Sequence, residues 1–322
     1  MHPKTILKIE EIPNSRIDKI LELTREILDQ EDWTRSLEHI QIINFFREPS
    51  TRTRISFESA MKRLGGEVIT ISGSESSLEK NETLSDTLKS LACYGDAIVL
   101  RNSEGLISSD CDVGVPIINA GDAGFYHPTQ AMIDLFTITE HFPRLDRLKC
   151  IVMGDGRSRA MHDFVAIALK YGIKVAWYGP KDIELPLHYR SVKDADVERY
   201  EKIPNEAREI ADRPALEEAL KEADIVWHVR FQGERKNVSY NPPYYGGVHK
   251  PYEYTTKDNY DRKCGFDETL LKLLHQNAII LHPLPRGHEM PTKIDKDRRA
   301  CYFSQAQNAL YVRAAILREM FE

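Results

Sequence analysis

The segment Phe46-Arg47-Glu48-Pro49-Ser50-Thr51-Arg52-Thr53-Arg54 follows an apolar run and precedes a helical pattern. Hydroxyls and backbone N–H groups at the start of a helix make an anion site, and phosphate suits them well. Arg52 adds a forked, permanent charge that matches phosphate oxygens. The same residues also fit a plain helix cap with solvated arginines, because Ser and Thr are the usual caps. Taken alone, the segment supports both readings about equally.

It does not stand alone. Other apolar runs end in Arg101-Asn102, in Gly154-Asp155-Gly156-Arg157-Ser158-Arg159, in Arg230-Phe231-Gln232 and in His282-Pro283-Leu284-Pro285-Arg286, and one leads to His127-Pro128-Thr129-Gln130. With the first segment, five such ends carry Arg, and two carry His-Pro. In open parallel sheets ligands bind beyond the carboxyl ends of the strands. These residues therefore predict a cation-lined cleft between two domains, with a small polyanion as its ligand.

Other chemistries fit less well. A P-loop would need GxxxxGK[ST], which is absent. Gly154-Asp155-Gly156 is followed by Arg159 where a dinucleotide fingerprint needs its third glycine, and the next strand runs into Tyr178-Gly179-Pro180 with no acidic residue at its end. His127 and His282 lie far apart and lack HxH or HxxxH partners, so no metal site is expected. Asn81-Glu82-Thr83 and Asn237-Val238-Ser239 match glycosylation acceptors only by a common short pattern.

The elements that must position these residues show in the spacing of apolar positions. Strands are expected at Ile40–Phe46, Glu67–Ser72, Ala97–Arg101, Pro116–Ala120, Cys150–Gly154, Lys174–Tyr178, Ile225–Val229 and Ala278–His282, four in each half. Segments with helical spacing lie between them, such as Phe57, Ala60/Met61, Leu64 and Leu216, Ala219/Leu220. This alternation predicts the α/β class, with two doubly wound parallel-sheet domains joined by interdomain helices. A helix over His127–Phe142 would bridge the domains, with the boundaries at 1–136 and 137–303. Amphipathic helices over Ile17–Leu28 and Ser304–Phe321 would dock on them, the latter packing back on the first domain. Lys236–Phe266, rich in Tyr, Pro, Gly and Asn, reads as one long loop, and loops of that length are usually functional or disordered.

The 322 residues suit two domains of about 150 residues each. A net charge of -6 makes the chain a poor general binder of nucleic acid or anionic membrane. No apolar run reaches the roughly 18 residues of a membrane span, and Met1–Glu11 is too polar for a secretory signal. The five cysteines are scattered, with no CxxC pair, and read as reduced thiols of a cytoplasmic protein.

In combination the motifs resemble one family. Phe46-x-x-Pro49-Ser50-Thr51-Arg52-Thr53-Arg54 with Ser56-Phe57-Glu58 is similar to the carbamoyl-phosphate signature of the aspartate and ornithine carbamoyltransferases. His127-Pro128-Thr129-Gln130 with Asp134-Leu135-Phe136-Thr137 resembles the second signature. His282-Pro283-Leu284-Pro285-Arg286 and Arg230-x-Gln232-x-Glu234-Arg235 resemble the aspartate branch. The resemblance spans nearly the whole chain.

It implies transfer of the carbamoyl group of carbamoyl phosphate to the amino group of L-aspartate, an early step of pyrimidine biosynthesis, without metal or organic cofactor. Ser50, Thr51, Arg52 and Thr53 would hold the phosphate. Thr53, Arg101 and His127 would bind the carbonyl oxygen, with Arg52, Thr53, Arg101 and His127 as the catalytic group. Gln130 and the backbone at Pro283 and Leu284 would hold the carbamoyl amide. Arg159, Arg230, Gln232 and Lys80 would bind aspartate. The family is trimeric, and Ser77 and Lys80 resemble the segment donated by the neighbouring subunit. The trimer could stand alone or join regulatory or dihydroorotase chains. Asn102-Ser103, Asn81, Ala160 and the longer 236–266 segment depart from the usual aspartate pattern. Two alternatives therefore stay open: a different amine acceptor, or a non-catalytic paralogue serving as a scaffold.

Overall fold

The computed structural model describes residues 2–29, 33, 35–72, 82–102, 111–122, 126–180, 207–232 and 257–322. The chain divides into two compact units. One comprises Met1–Phe136 and Ala306–Glu322, the other Thr137–Gln305. Among the described residues no helix is long and apolar enough to cross a membrane.

In the first unit, β1 (Gln41–Phe46), β2 (Glu67–Ser72), β3 (Ala97–Asn102) and β4 (Ile117–Asp122) form a parallel sheet in the order β2-β1-β3-β4. β1 is buried over five of its six residues, as a central strand covered on both faces must be. The edge strand β2 is only partly buried. Helix α1 (Asn14–Asp29) buries Ile17, Ile20, Leu21, Leu23, Thr24 and Ile27. That is the apolar stripe its spacing demands. α2 (Thr51–Arg63) buries Thr53, Phe57, Ala60 and Met61. α3 (Leu84–Ala92) places Leu88 in a core that includes Ile43, Phe45, Ile98, Leu100 and Ile117.

The second unit holds β5 (Lys149–Gly154), β6 (Lys174–Tyr178), β7 (Arg208–Glu209), β8 (Ile225–Val229) and β9 (Ile279–Leu281), parallel in the order β7-β6-β5-β8-β9. The expected four strands are thus five. β7 is two charged residues long, pairs with Ala176 and Trp177, and carries no apolar periodicity. α5 (Arg159–Lys170) is buried from Arg159 to Leu169, and α6 (Arg213–Lys221) buries Leu216 and Leu220.

The expected loop over 236–266 also needs correction. Residues 233–256 lie outside the described residues, but Lys257–Cys264 is a helix, α7, whose Tyr260 and Cys264 enter the core four residues apart. α8 (Glu268–Leu271) follows. α4 (Pro128–His141) and α9 (Tyr302–Phe321) each begin in one unit and end in the other.

Candidate active site

Each sheet has one place where strand order reverses. β1 has β2 on one side and β3 on the other, and β5 has β6 on one side and β8 on the other. Crevices open at the carboxyl ends of such strand pairs. The residues singled out in the sequence fall there. Ser50–Thr53 follow β1, Arg101 ends β3, Arg159 follows β5, and Arg230 and Gln232 follow β8.

In the first unit Ser50 occupies the cap position of α2 in an extended conformation, yet its side chain makes no cap bond. A serine in this position normally spends its hydroxyl on the helix N–H groups. Here the Ser50 hydroxyl makes no such bond. Thr51 and Arg52 are exposed, and Thr53 is buried on the inner side of the same turn.

Arg101 is held across the strand reversal. Its Nη2 lies 2.7 Å from Glu48 Oε1, and its Nη1 donates to Ala120 O at 3.1 Å. The Arg47 N–H donates to Arg101 O at 2.8 Å, tying the loop after β1 to the end of β3. Asn102 is fully buried and accepts from Arg47 Nη1 at 2.6 Å. This departure from the usual family pattern thus has a structural use.

His127 is buried just before α4, and its carbonyl accepts the Gln130 N–H at 2.9 Å. Thr129 Oγ1 stands 3.5 Å from its Nδ1. The Gln130 carboxamide donates through Nε2 to the fully buried Asp134 at 2.7 Å, which fixes the way the amide faces.

The second unit repeats the logic with a different hub. Asp155, fully buried after β5, accepts from Arg157 Nε at 3.0 Å and Nη2 at 3.2 Å, and from the Gln232 N–H at 3.1 Å. One carboxylate therefore joins the loops after β5 and β8. Gly154, at φ +122, leaves room for this junction. A Cβ there would stand 2.3 Å from Val229 O and 2.5 Å from the Tyr260 hydroxyl. Arg159 is buried at the first turn of α5, where Ser158 makes no side-chain cap bond. Arg230 Nη1 donates to Phe231 O at 2.8 Å.

After β9 the chain turns sharply. Leu284 has φ 56, a region that costs a branched residue about 1–2 kcal/mol. Its N–H donates to His282 Nδ1 at 2.8 Å, and the His282 N–H donates to Gln305 Oε1 at 2.9 Å. Accepting at Nδ1 puts the His282 proton on Nε2, which lies 3.3 Å from Glu289 Oε1. Burial lowers the pKa of His282 and pushes the stacked His228 down to about 4, so both rings are neutral at pH 7. Burial opposes ionisation of Glu289, but His282 and the Gly287 N–H outweigh it and hold its carboxyl down at about 2.

The cations are less idle than the sequence suggested. Arg101, Arg157 and Arg286 each meet a carboxylate of their own unit: Glu48, Asp155 and Asp295. Arg286 also stacks on Tyr302 at 5.2 Å and serves the structure of its loop. Glu48, Asp155 and Glu289 were visible as acids beside basic segments, but no spacing rule pairs them. Ser77 and Lys80 lie outside the described residues. Among the described residues no cluster of His, Cys, Asp or Glu could hold a metal ion, and all five cysteines are free thiols.

Comparison with known proteins decides the family. The profile described as aspartate/ornithine carbamoyltransferase, carbamoyl-P binding domain, matches residues 4–140, and the Asp/Orn binding domain of the same family matches residues 146–320. The chain belongs to the aspartate/ornithine carbamoyltransferase family. Within it, the chain is 34% identical over 328 residues to the aspartate carbamoyltransferase catalytic subunit of Clostridium perfringens strain SM101, covering 98% of this chain and 97% of that one. It is 37% identical over 287 residues to the multifunctional protein pyr-3 of Neurospora crassa, covering 86% of this chain but spanning only 14% of that protein's length. The solved aspartate transcarbamoylase of Trypanosoma cruzi, in complex with carbamoyl phosphate and aspartate, superposes with a TM-score of 0.78 at 26% identity, covering 97% of this chain and 95% of that one. The carbamoyltransferase family match thus takes in both sheets and the strand-end residues of each.

Proposed function

We propose that the chain transfers the carbamoyl group of carbamoyl phosphate to the amino group of L-aspartate, giving N-carbamoyl-L-aspartate and phosphate in pyrimidine biosynthesis. The observation that carries this reading is the uncapped first turn of α2, with Ser50, Thr51, Arg52 and Thr53 beside an Arg101 held by Glu48.

On this reading Ser50, Thr51, Arg52 and Thr53 hold the phosphate and ease its departure. Thr53, Arg101 and His127 donate to the carbonyl oxygen. The neutral amine of aspartate attacks the carbamoyl carbon, and the carbonyl oxygen gains negative charge as the tetrahedral intermediate forms; the bond from that carbon to the phosphate oxygen then breaks, and the amine's surplus proton leaves with the phosphate. Donors fixed in advance stabilise that charge, and losing one typically costs roughly a hundredfold in rate. Because Gln130 gives its N–H to Asp134, its Oε1 is the atom that accepts from the carbamoyl NH2. The carbonyls of the turned Pro283-Leu284 segment accept from the same amide. Arg159, Arg230 and the Gln232 segment bind the two aspartate carboxylates, offsetting the repulsion between two anionic substrates.

Ser77 and Lys80, supplied by a neighbouring subunit, complete the site in a homotrimer, and Lys80 adds a cation for aspartate. The trimer works in the cytoplasm, alone or with regulatory or dihydroorotase chains. The likeness to a multifunctional protein supports the second arrangement. The test is titration calorimetry of the full chain with carbamoyl phosphate, then with succinate as an inert stand-in for aspartate. Ordered binding of both supports the reading, and absence of carbamoyl phosphate binding removes it.

A further inference from the structure

Arg313 lies on α9 and is 1% exposed. Its guanidinium sits over the Phe57 ring, 5.1 Å from the centroid, and Nη1 donates to Ser56 Oγ. Its Nε has no hydrogen-bond partner among the described residues. No carboxylate there pairs with it, and the charge that acts on it is a second cation, Arg52. Burial lowers its pKa to about 9, which leaves it charged at neutral pH. A buried cation without a counter-charge is strongly unfavourable for the folded chain.

Its surroundings give the charge a use. Ser56 Oγ lies 2.7 Å from Arg52 O and 2.9 Å from Thr53 O, so its one proton is shared between those two carbonyls while a lone pair accepts from Arg313. Arg313 thus grips the turn that opens with Ser50 and Thr51 through a single hydroxyl. Phe57, under the guanidinium, is fully buried one turn further along α2. Two cations, Arg52 and Arg313, therefore act within the first two turns of α2.

We propose that Arg313 is a positioning residue of the phosphate site: the bound phosphate supplies the counter-charge that Arg313 lacks, and the Arg313–Ser56 bond holds the first turn of α2 in its binding shape. This rests on the reading of Ser50–Thr53 as the phosphate site. Arg313 does not touch the ligand. It acts through Ser56, and through the field it adds to that of Arg52. A residue kept only for packing would affect stability alone. The present role couples its charge to phosphate.

The experiment is titration of the full chain with inorganic phosphate by calorimetry, with thermal melts in the presence and absence of phosphate. The variants are Arg313→Met, Arg313→Lys, Ser56→Ala and Arg52→Ala. Arg313→Met should weaken phosphate binding about tenfold. Its Tm without phosphate should match or exceed that of the wild type, and the gain in Tm on adding phosphate should shrink. Arg313→Lys, which keeps the charge, should recover part of the affinity, and the KM for L-aspartate should stay within about threefold. Weakening of threefold or less in Arg313→Met overturns the proposal. If that variant does not fold, Arg313→Lys and Ser56→Ala decide: more than threefold weakening in either supports the proposal, and less in both overturns it. Failure of the wild type to bind phosphate, or unchanged binding in Arg52→Ala, overturns the underlying site reading instead.

Discussion

The Gln130 carboxamide donates to the buried Asp134 at 2.7 Å, four residues on along the same helix. Helical periodicity sets the two on one face. The buried acid then decides which end of the amide is presented to a ligand. This is how a family motif of unremarkable residues acquires direction.

Asp134→Asn should therefore impair recognition of the carbamoyl group while preserving the fold. A hydrogen bond to a charged group contributes about 1.5–3 kcal/mol, so kcat/KM for carbamoyl phosphate should fall roughly tenfold to a hundredfold. Steady-state kinetics with unchanged circular dichroism is the check. Wild-type kinetics would remove Gln130 from the carbamoyl site.

Arg52→Ala should lower kcat/KM by on the order of a hundredfold or more. Arg52 is exposed on the first turn of α2, so its loss should leave the melting temperature near that of the wild type. Near-normal turnover in a folded variant would argue against the phosphate site.

Asp155→Ala should do two things at once. It leaves Arg157 without its carboxylate and the Gln232 N–H without its acceptor, at a cost of about 3–5 kcal/mol. The loops after β5 and β8 lose their link, so the KM for the amino-acid substrate should rise. Two of the three tryptophans, Trp177 and Trp227, are buried in this unit, so fluorescence melts report its stability. A stable variant with unchanged KM would show that Asp155 is not the hub.

Acid should unfold the second unit in a definable window. The folded pKa of His228, about 4, lies below its ordinary 6.5 because of burial. The unfolded chain then binds more protons in between, and stability falls as pH drops from 6.5 toward 4, by about 3 kcal/mol. Glu289, held at about 2 against an ordinary 4.5, adds a loss below pH 4.5. Urea melts followed by tryptophan fluorescence between pH 4.5 and 7 should show this slope, and His228→Gln should flatten it. A wild-type stability independent of pH over this range would contradict the neutral buried pair.

Much of the fold was legible because the strands stand out as short runs rich in β-branched, aromatic and other apolar residues. Glu67–Ser72, Lys174–Tyr178 and Ile225–Val229 have the bounds their patterns predict. β7 was not legible: a strand of two charged residues shows no apolar alternation. α7 was hidden because its core-facing Tyr260 and Cys264 lie within a stretch rich in turn formers. The basic strand ends were legible as a class. Which of their groups meet a carboxylate was not, because the links of Arg101 to Glu48 and of the Gln232 N–H to Asp155 depend on strand order. Arg313 gave no signal, since an arginine in an amphipathic helix ordinarily faces water.

The most direct measurement is product formation from carbamoyl phosphate with L-aspartate, with L-ornithine and with no acceptor, followed by phosphate release and mass spectrometry. Rapid phosphate release is expected with L-aspartate only, with a product of the mass of N-carbamoyl-L-aspartate. Release that ignores the acceptor, or a carbamoylated product with L-ornithine alone, would contradict transfer to L-aspartate.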